Sequence, residues 1–152
     1  MFSSKIISEN LLCARSELTE LSKIRDFVRS QAENFGFNDD DVNKIILAVD
    51  EACTNLIKYA YKFDNSKEFC VLVETDFNIF TINIHDSGAP FNPLDVMQPD
   101  MTDYMKKFKR GGLGIHIMRT VMDEIVYCPS SESCPKNILK LKKYLHSYQP
   151  TH

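Results

Sequence analysis

Between residues 42 and 60, Val42, Ile45, Ile46, Val49, Ala52, Cys53, Leu56, Ile57 and Ala60 recur with helical period and merge into one broad apolar face. A face that wide has to be covered by a second layer, and this requirement constrains the fold more than any other feature of the chain. Its beginning is marked by Asn38, a capping residue, followed by Asp39, Asp40 and Asp41 in the first turn, where the helix dipole favours anions. At about 100° per residue, Glu51, Asn55 and Lys58 fall on a polar stripe beside the apolar face, at i, i+4 and i+7. A carboxylate and an amide one turn apart can hold a cation or activate a hydroxyl, and a lysine one turn further can reach an anion. A solvated helix flank would give the same pattern.

The covering layer is found downstream. Residues 69–76 and 79–86 read as two strands joined by a tight turn at Phe77 and Asn78. Further strands are expected at 3–9, 123–128 and 137–145, the last with Leu139 and Leu141 alternating with Lys140 and Lys142. A second helical period starts at Ser16, runs through Leu18, Leu21, Ile24, Phe27, Val28, Ala32 and Phe35, and stops at Gly36. A third helix carries Ile115, Ile117, Met118, Val121 and Met122. The expected fold class is α+β, a two-layer sandwich with helices on one face of a mixed, mostly antiparallel sheet.

At 152 residues, 43% of them hydrophobic and 26% charged, the whole of 1–152 is expected to form one soluble globular domain. The net charge of −3 gives no basis for a nucleic-acid or anionic-membrane partner. No window approaches the ~20 apolar residues of a membrane span. The opening MFSSKIISENLL is not a secretion signal, so a cytoplasmic protein is expected. The five cysteines, Cys13, Cys53, Cys70, Cys128 and Cys134, are odd in number and contain no CxxC pair. Scattered buried thiols are therefore expected, rather than a zinc site or a disulfide framework. Residues 87–110 lack periodicity and hold Pro90, Pro93 and Pro99; a stretch of this length reads as a lid or binding loop.

Two further stretches carry chemistry. In the strand 79–86, Phe80, Ile82, Ile84 and Asp86 share one face, so a carboxylate emerges on the apolar side at the strand's end. A buried carboxylate needs hydrogen-bond donors. It can accept from an exocyclic amine such as that of adenine, or it can cap its own turn at Ser87 and Gly88. Gly88 lets a ligand approach the backbone. Further on, Arg110-Gly111-Gly112-Leu113-Gly114 opens a helix, preceded by Lys106, Lys107 and Lys109. Free N–H groups at a helix start suit phosphate, although glycines also serve as plain loop residues. No Gly-Lys-Ser/Thr follows, so this is not a P-loop.

Taken together, Glu51-Ala52-Cys53-Thr54-Asn55, Asp86-Ser87-Gly88-Ala89-Pro90-Phe91 and Gly111-Gly112-Leu113-Gly114 resemble the successive nucleotide boxes of the Bergerat-fold ATPases, which include gyrase, histidine kinases and mismatch-repair ATPases. Over nearly its whole length the chain is most similar to the anti-sigma factor serine kinases of bacteria, especially in DSGAPFNPLDVMQPD and IMRTVMDEIVY. The resemblance implies ATP and Mg²⁺ as cofactors. It implies Mg²⁺ coordination by Asn55, a general-base role for Glu51, adenine recognition by Asp86 with Gly88 beneath the ring, and phosphate contacts from Gly111, Gly112, Leu113 and Gly114. Arg110 matches a lid arginine brought to the terminal phosphate, and Lys58 is assigned a phosphate contact. The implied partners are an anti-sigma factor antagonist of the STAS type and a sigma factor, and homodimers are usual in the family.

The chain also departs from the pattern. Lys58-Tyr59-Ala60-Tyr61 stands where the kinases often have His-Gly, the glycine box is short, and Pro135-Lys136-Asn137-Ile138 replaces the usual Gly-Thr of the last strand. These departures bear on phosphate geometry and turnover more than on binding. Two other functions therefore stay open: a nucleotide-tuned protein-binding module without phosphoryl transfer, and an ATPase subunit of another signalling output. His85-Asp86-x-x-x-Pro90 also matches a phosphoacceptor pattern of sensor kinases, but those histidines lie on helices, and Gly88 and Pro90 forbid one at this point.

Overall fold

The computed structural model describes residues 5–92, 94 and 111–146. The chain forms β1 (Lys5–Ser8), β2 (Leu11–Arg15), α1 (Leu21–Phe35), α2 (Asp39–Asn55), β3 (Glu68–Asp76), β4 (Ile79–Asp86), α3 (Gly111–Val121), β5 (Glu124–Cys128) and β6 (Asn137–Tyr144). The strands make one sheet in the order β1-β2-β3-β4-β6-β5.

Local chemistry sets the boundaries. Gly36 ends α1 at φ 116°, a left-handed conformation in which its N–H reaches the carbonyls of Ala32 and Glu33. Asn38 caps α2 by accepting from the Asp41 N–H at 2.8 Å. Strands β3 and β4 pair from Phe69↔Asp86 to Asp76↔Ile79, closed by the two-residue turn at Phe77 and Asn78. Phe77 has a φ of 52° and is 97% exposed, so that turn holds a bulky side chain in a strained backbone region and out in water.

The expected sandwich is present. Phe69, Val71, Val73, Phe80, Ile82, Ile84 and Leu141 line one sheet face and are buried against Ile24 and Val28 of α1, Val42, Ile45 and Val49 of α2, and Ile115 and Met118 of α3. The period of two holds along β4: Asp86 lies on the helix side with Phe80, Ile82 and Ile84, while His85 lies on the other.

Four expectations need correction. Among the described residues every strand pairing is antiparallel, so the sheet is not mixed. The helical period taken to begin at Ser16 starts as a 3₁₀ turn, Leu18–Glu20, with α1 beginning at Leu21. The reading also missed β2, which lacks flanking Gly or Pro and follows β1 after a two-residue turn. That omission hid the pairing of the cysteines. Cys13 and Cys70 are register partners on β2 and β3, with Cα atoms 4.0 Å apart, and they form a disulfide. Of the other thiols only Cys53 is buried; Cys128 is exposed and Cys134 intermediate. An odd count and absent CxxC are blind to cross-strand register.

The expected lid at 87–110 is described only at 87–92 and 94; its remainder, with Lys106, Lys107, Lys109 and Arg110, lies outside the described residues.

Candidate functional site

Helix α2 presents Glu51 and Asn55 one turn apart, and α3 closes on them at Gly114. A Cβ added to Gly114 would stand 2.8 Å from Glu51 Oε2 and 3.3 Å from Asn55 Nδ2. Only a residue without a side chain lets α3 come this close to the carboxylate and the amide. Burial raises the Glu51 carboxyl above its ordinary value, repulsion from Asp50 adds to this, and Lys58 opposes it. Lys58 is thus within electrostatic reach of Glu51.

Its route there differs from a regular helix. After Asn55 the chain widens into a π turn, Leu56–Ala60, closed by the Tyr61 N–H on the Leu56 carbonyl at 3.0 Å. The stack from Glu51 through Asn55 is α-helical, whereas Lys58 sits on the wider turn.

That turn delivers Tyr61 to the end of β4. The buried Tyr61 hydroxyl accepts from the Ser87 N–H at 2.8 Å and donates to the Glu68 carbonyl at 2.7 Å. Its ring lies against Gly88: a Cβ there would stand 2.9 Å from Tyr61 Cε1. Asp86, 7% exposed, accepts the Gly88 N–H on Oδ1 at 2.9 Å and the Asn137 amide on the same oxygen at 3.0 Å. Asp86 therefore does cap its own turn. Among the described residues Oδ2 has no protein partner, so the capping role leaves one carboxylate oxygen for a ligand.

A small cavity of about 30 Å³, partly open to solvent, lies between Asn55 and Asp86. Asn55 and Asp86 supply polar atoms, while Ala52, Leu56, Ile84 and Met118 supply an apolar wall. Its mostly apolar lining with few polar groups is of the kind that takes a small organic ligand. At the rim Tyr59 stacks on Phe91, ring centroids 5.6 Å apart, and the Phe91 N–H donates to the Tyr127 hydroxyl at 3.1 Å. The site is thus a mostly apolar slot lined by the Asp86 carboxylate and the Asn55 amide, with Glu51 and the first turn of α3 beside Asn55.

The structure brings together Glu51, Asn55, Lys58, Asp86, Gly88 and Gly114. Gly111, Gly112 and Leu113 form the first turn of α3, which begins at Gly111 rather than after the glycines. Arg110 lies outside the described residues. His85 belongs to β4, which removes the helical phosphoacceptor alternative, and burial lowers its imidazole, with Lys136 and Lys140 adding and Glu74 and Asp86 opposing.

For Mg²⁺ the donor set fits. Among the described residues no three acidic, histidine or cysteine side chains form a cage, and the side chains of Glu51 and Asn55 have no protein hydrogen bonds. Mg²⁺ bound with phosphates takes only one or two protein oxygens, and the Asn55 amide oxygen can supply one. Three residues of the site escaped the sequence reading. Tyr61 and Tyr127 gave no signal in spacing. Asn137 stood in view as the departure from Gly-Thr, but its partner is fixed only by the register Asp86↔Asn137.

A family model described as a histidine kinase-like ATPase domain matches residues 14–143. The chain is also similar to proteins named serine-protein kinase RsbW. That of Bacillus velezensis is 32% identical over 99 residues, covering 62% of this chain and 61% of that protein. That of Bacillus subtilis strain 168 is 31% identical over 107 residues, covering 67% and 66%. That of Bacillus licheniformis is 33% identical over 100 residues, covering 62% and 61%. The chain thus spans less than two thirds of the length of these relatives. The match over residues 14–143 settles the family: the chain belongs to the histidine kinase-like ATPases.

Proposed function

We propose that the protein is an ATP-dependent protein serine kinase that also acts as an anti-sigma factor. Its substrate would be a small anti-sigma factor antagonist of the STAS type, and phosphorylation of that partner would decide whether the kinase is free to hold a sigma factor. The observation that supports this reading is the approach of Gly114 to Glu51 and Asn55, where a carboxylate, an amide and the first turn of a helix meet. Similarity to serine-protein kinases of three Bacillus species supports the kinase class.

In this reading adenine enters the slot, its amino group donating to Asp86, with Gly88 beneath the ring. The phosphates run toward Gly111, Gly112, Leu113 and Gly114, with Lys58 nearby and Arg110 at the terminal phosphate. Glu51 takes the proton from the partner's serine hydroxyl as the serine oxygen bonds to the γ-phosphorus and the bond to the β,γ-bridging oxygen breaks, leaving ADP. Held by Asn55, Mg²⁺ supplies neutralisation of the phosphate charge. The proposal extends to a cytoplasmic protein acting as a homodimer.

The test is to incubate the protein with labelled ATP and a purified antagonist and to look by mass spectrometry for one added phosphate on serine. Wild type should phosphorylate the antagonist and Glu51→Gln should not. Nucleotide-dependent capture of the antagonist without phosphate transfer would replace the kinase by a binding module.

A further inference from the structure

Asn137 opens β6 directly opposite Asp86, the last residue of β4. Paired residues point to the same sheet face, so its side chain enters the helix layer beside the carboxylate, where it is 1% exposed. Three hydrogen bonds hold that amide. Its Oδ1 accepts the Ser130 N–H at 2.8 Å. Its Nδ2 donates to Asp86 Oδ1 at 3.0 Å and to the Gly88 carbonyl at 2.9 Å.

The Ser130 N–H can only donate, so it fixes which end of the amide faces which way. The opposite orientation would set an amide oxygen against a carboxylate oxygen and an NH₂ against an N–H. Held this way, Asn137 and the Gly88 N–H converge on one oxygen of Asp86. Two donors on Oδ1 fix the rotation of the carboxylate and leave Oδ2, which has no protein partner among the described residues, as the acceptor that Asp86 can offer to the cavity it lines. Tyr61 holds the same turn from its other side, through the Ser87 N–H and its ring against Gly88. The Asp86–Gly88 turn is therefore clamped between a tyrosine and an amide before any ligand arrives.

We infer that Asn137 is a positioning residue that sets the choice of purine: by fixing Asp86 so that a lone acceptor faces the slot, it selects a base bearing an amino group at that edge over one bearing a carbonyl. The inference deepens the proposed function and rests on its placement of the purine. A carboxylate free to rotate can offer either oxygen and follow a shifted base. A fixed acceptor meets the 6-carbonyl of guanine with repulsion and the 6-amino group of adenine with a charge-assisted hydrogen bond.

The test measures ATP and GTP affinities by calorimetry for wild type, Asn137→Leu and Asn137→Thr, with the melting temperature of each. Wild type should prefer ATP. Asn137→Leu, similar in shape but without donors, should bind ATP roughly tenfold more weakly, the scale of one hydrogen bond to a charged group, while the ATP-to-GTP preference narrows. Asn137→Thr, whose hydroxyl restores one donor, should recover part of the preference. This variant also carries the test if the leucine protein does not fold. A purely structural asparagine would lower the melting temperature of both variants and leave the preference unchanged, and that result overturns the inference. A wild type with no preference for ATP overturns the nucleotide reading itself.

Discussion

Gly114 faces Glu51 so closely that a single added methyl group would lie 2.8 Å from Oε2. The atom it would strike is the end of a flexible side chain, so the carboxylate can swing away at small cost to folding. Replacing Gly114 by Ala should therefore leave the melting temperature within a few degrees of wild type, roughly the effect of less than 1 kcal/mol. The proposed kinase turnover should fall about a hundredfold, because a misplacement of about 1 Å at the group assigned as base costs that much. A melting curve and a single-turnover assay on the same preparation check both parts.

Burial and Asp50 raise the Glu51 carboxyl above its ordinary value of 4.5, against the pull of Lys58. In the proposed mechanism Glu51 acts as a base only when ionised, so the proposed kinase activity should climb with pH through a limb lying above 4.5, and Glu51→Gln should remove that limb together with the activity. Stability carries the opposite sign. The folded protein binds this proton more tightly than the unfolded chain, so Glu51's contribution is present at low pH and is lost as pH rises through the raised value. Denaturant titrations of wild type and Glu51→Gln across that range read it directly.

Asn55 brings its side-chain amide to the first turn of α3, with Oδ1 3.7 Å from where a Cβ on Gly114 would lie. Chelating Mg²⁺ should weaken ATP binding by wild type, whereas Asn55→Ala should bind weakly with or without the metal. Equal ATP affinity of wild type and Asn55→Ala in Mg²⁺ would remove Asn55 from the metal site.

Cys13 and Cys70 join β2 to β3 across 57 residues of chain. Closing a loop of that length restricts the unfolded state by about 4 kcal/mol in the chain-entropy model, with a typical measured effect of about 2–4 kcal/mol. Cys70→Ser, or a thiol reductant added to wild type, should lower the melting temperature by roughly 10 °C. Cys53→Ser should leave the response to reductant intact, because that thiol takes no part in the disulfide.

What the sequence revealed follows the distance over which each relationship acts. Glu51 and Asn55 are one turn apart on one helix, so spacing alone aligned them. Asp86 announced itself by parity within a single strand. Gly114 could be named from its box, but its contact with Glu51 depends on how α3 packs on α2. Asn137 and Asp86 are 51 residues apart in sequence, and Cys13 and Cys70 are 57 apart. Both pairs exist only through strand register, which periodicity does not encode. The π turn was equally hidden, because Leu56, Ile57 and Ala60 extend the apolar pattern of α2 without a break.

The wide turn Leu56–Ala60 makes chain length itself part of the site. The Tyr61 N–H bonds to Leu56, where an ordinary helix would bond it to Ile57. Dropping one residue from this segment would restore the ordinary pitch and swing everything after it by about 100° around the axis. The hydroxyl that bridges Ser87 and Glu68 would then point away from both. A substitution in the segment alters packing at one point, but an insertion or deletion there would pull Tyr61 away from the Asp86–Gly88 turn, so an alignment gap at residues 56–60 would mark a relative that holds that turn by other means.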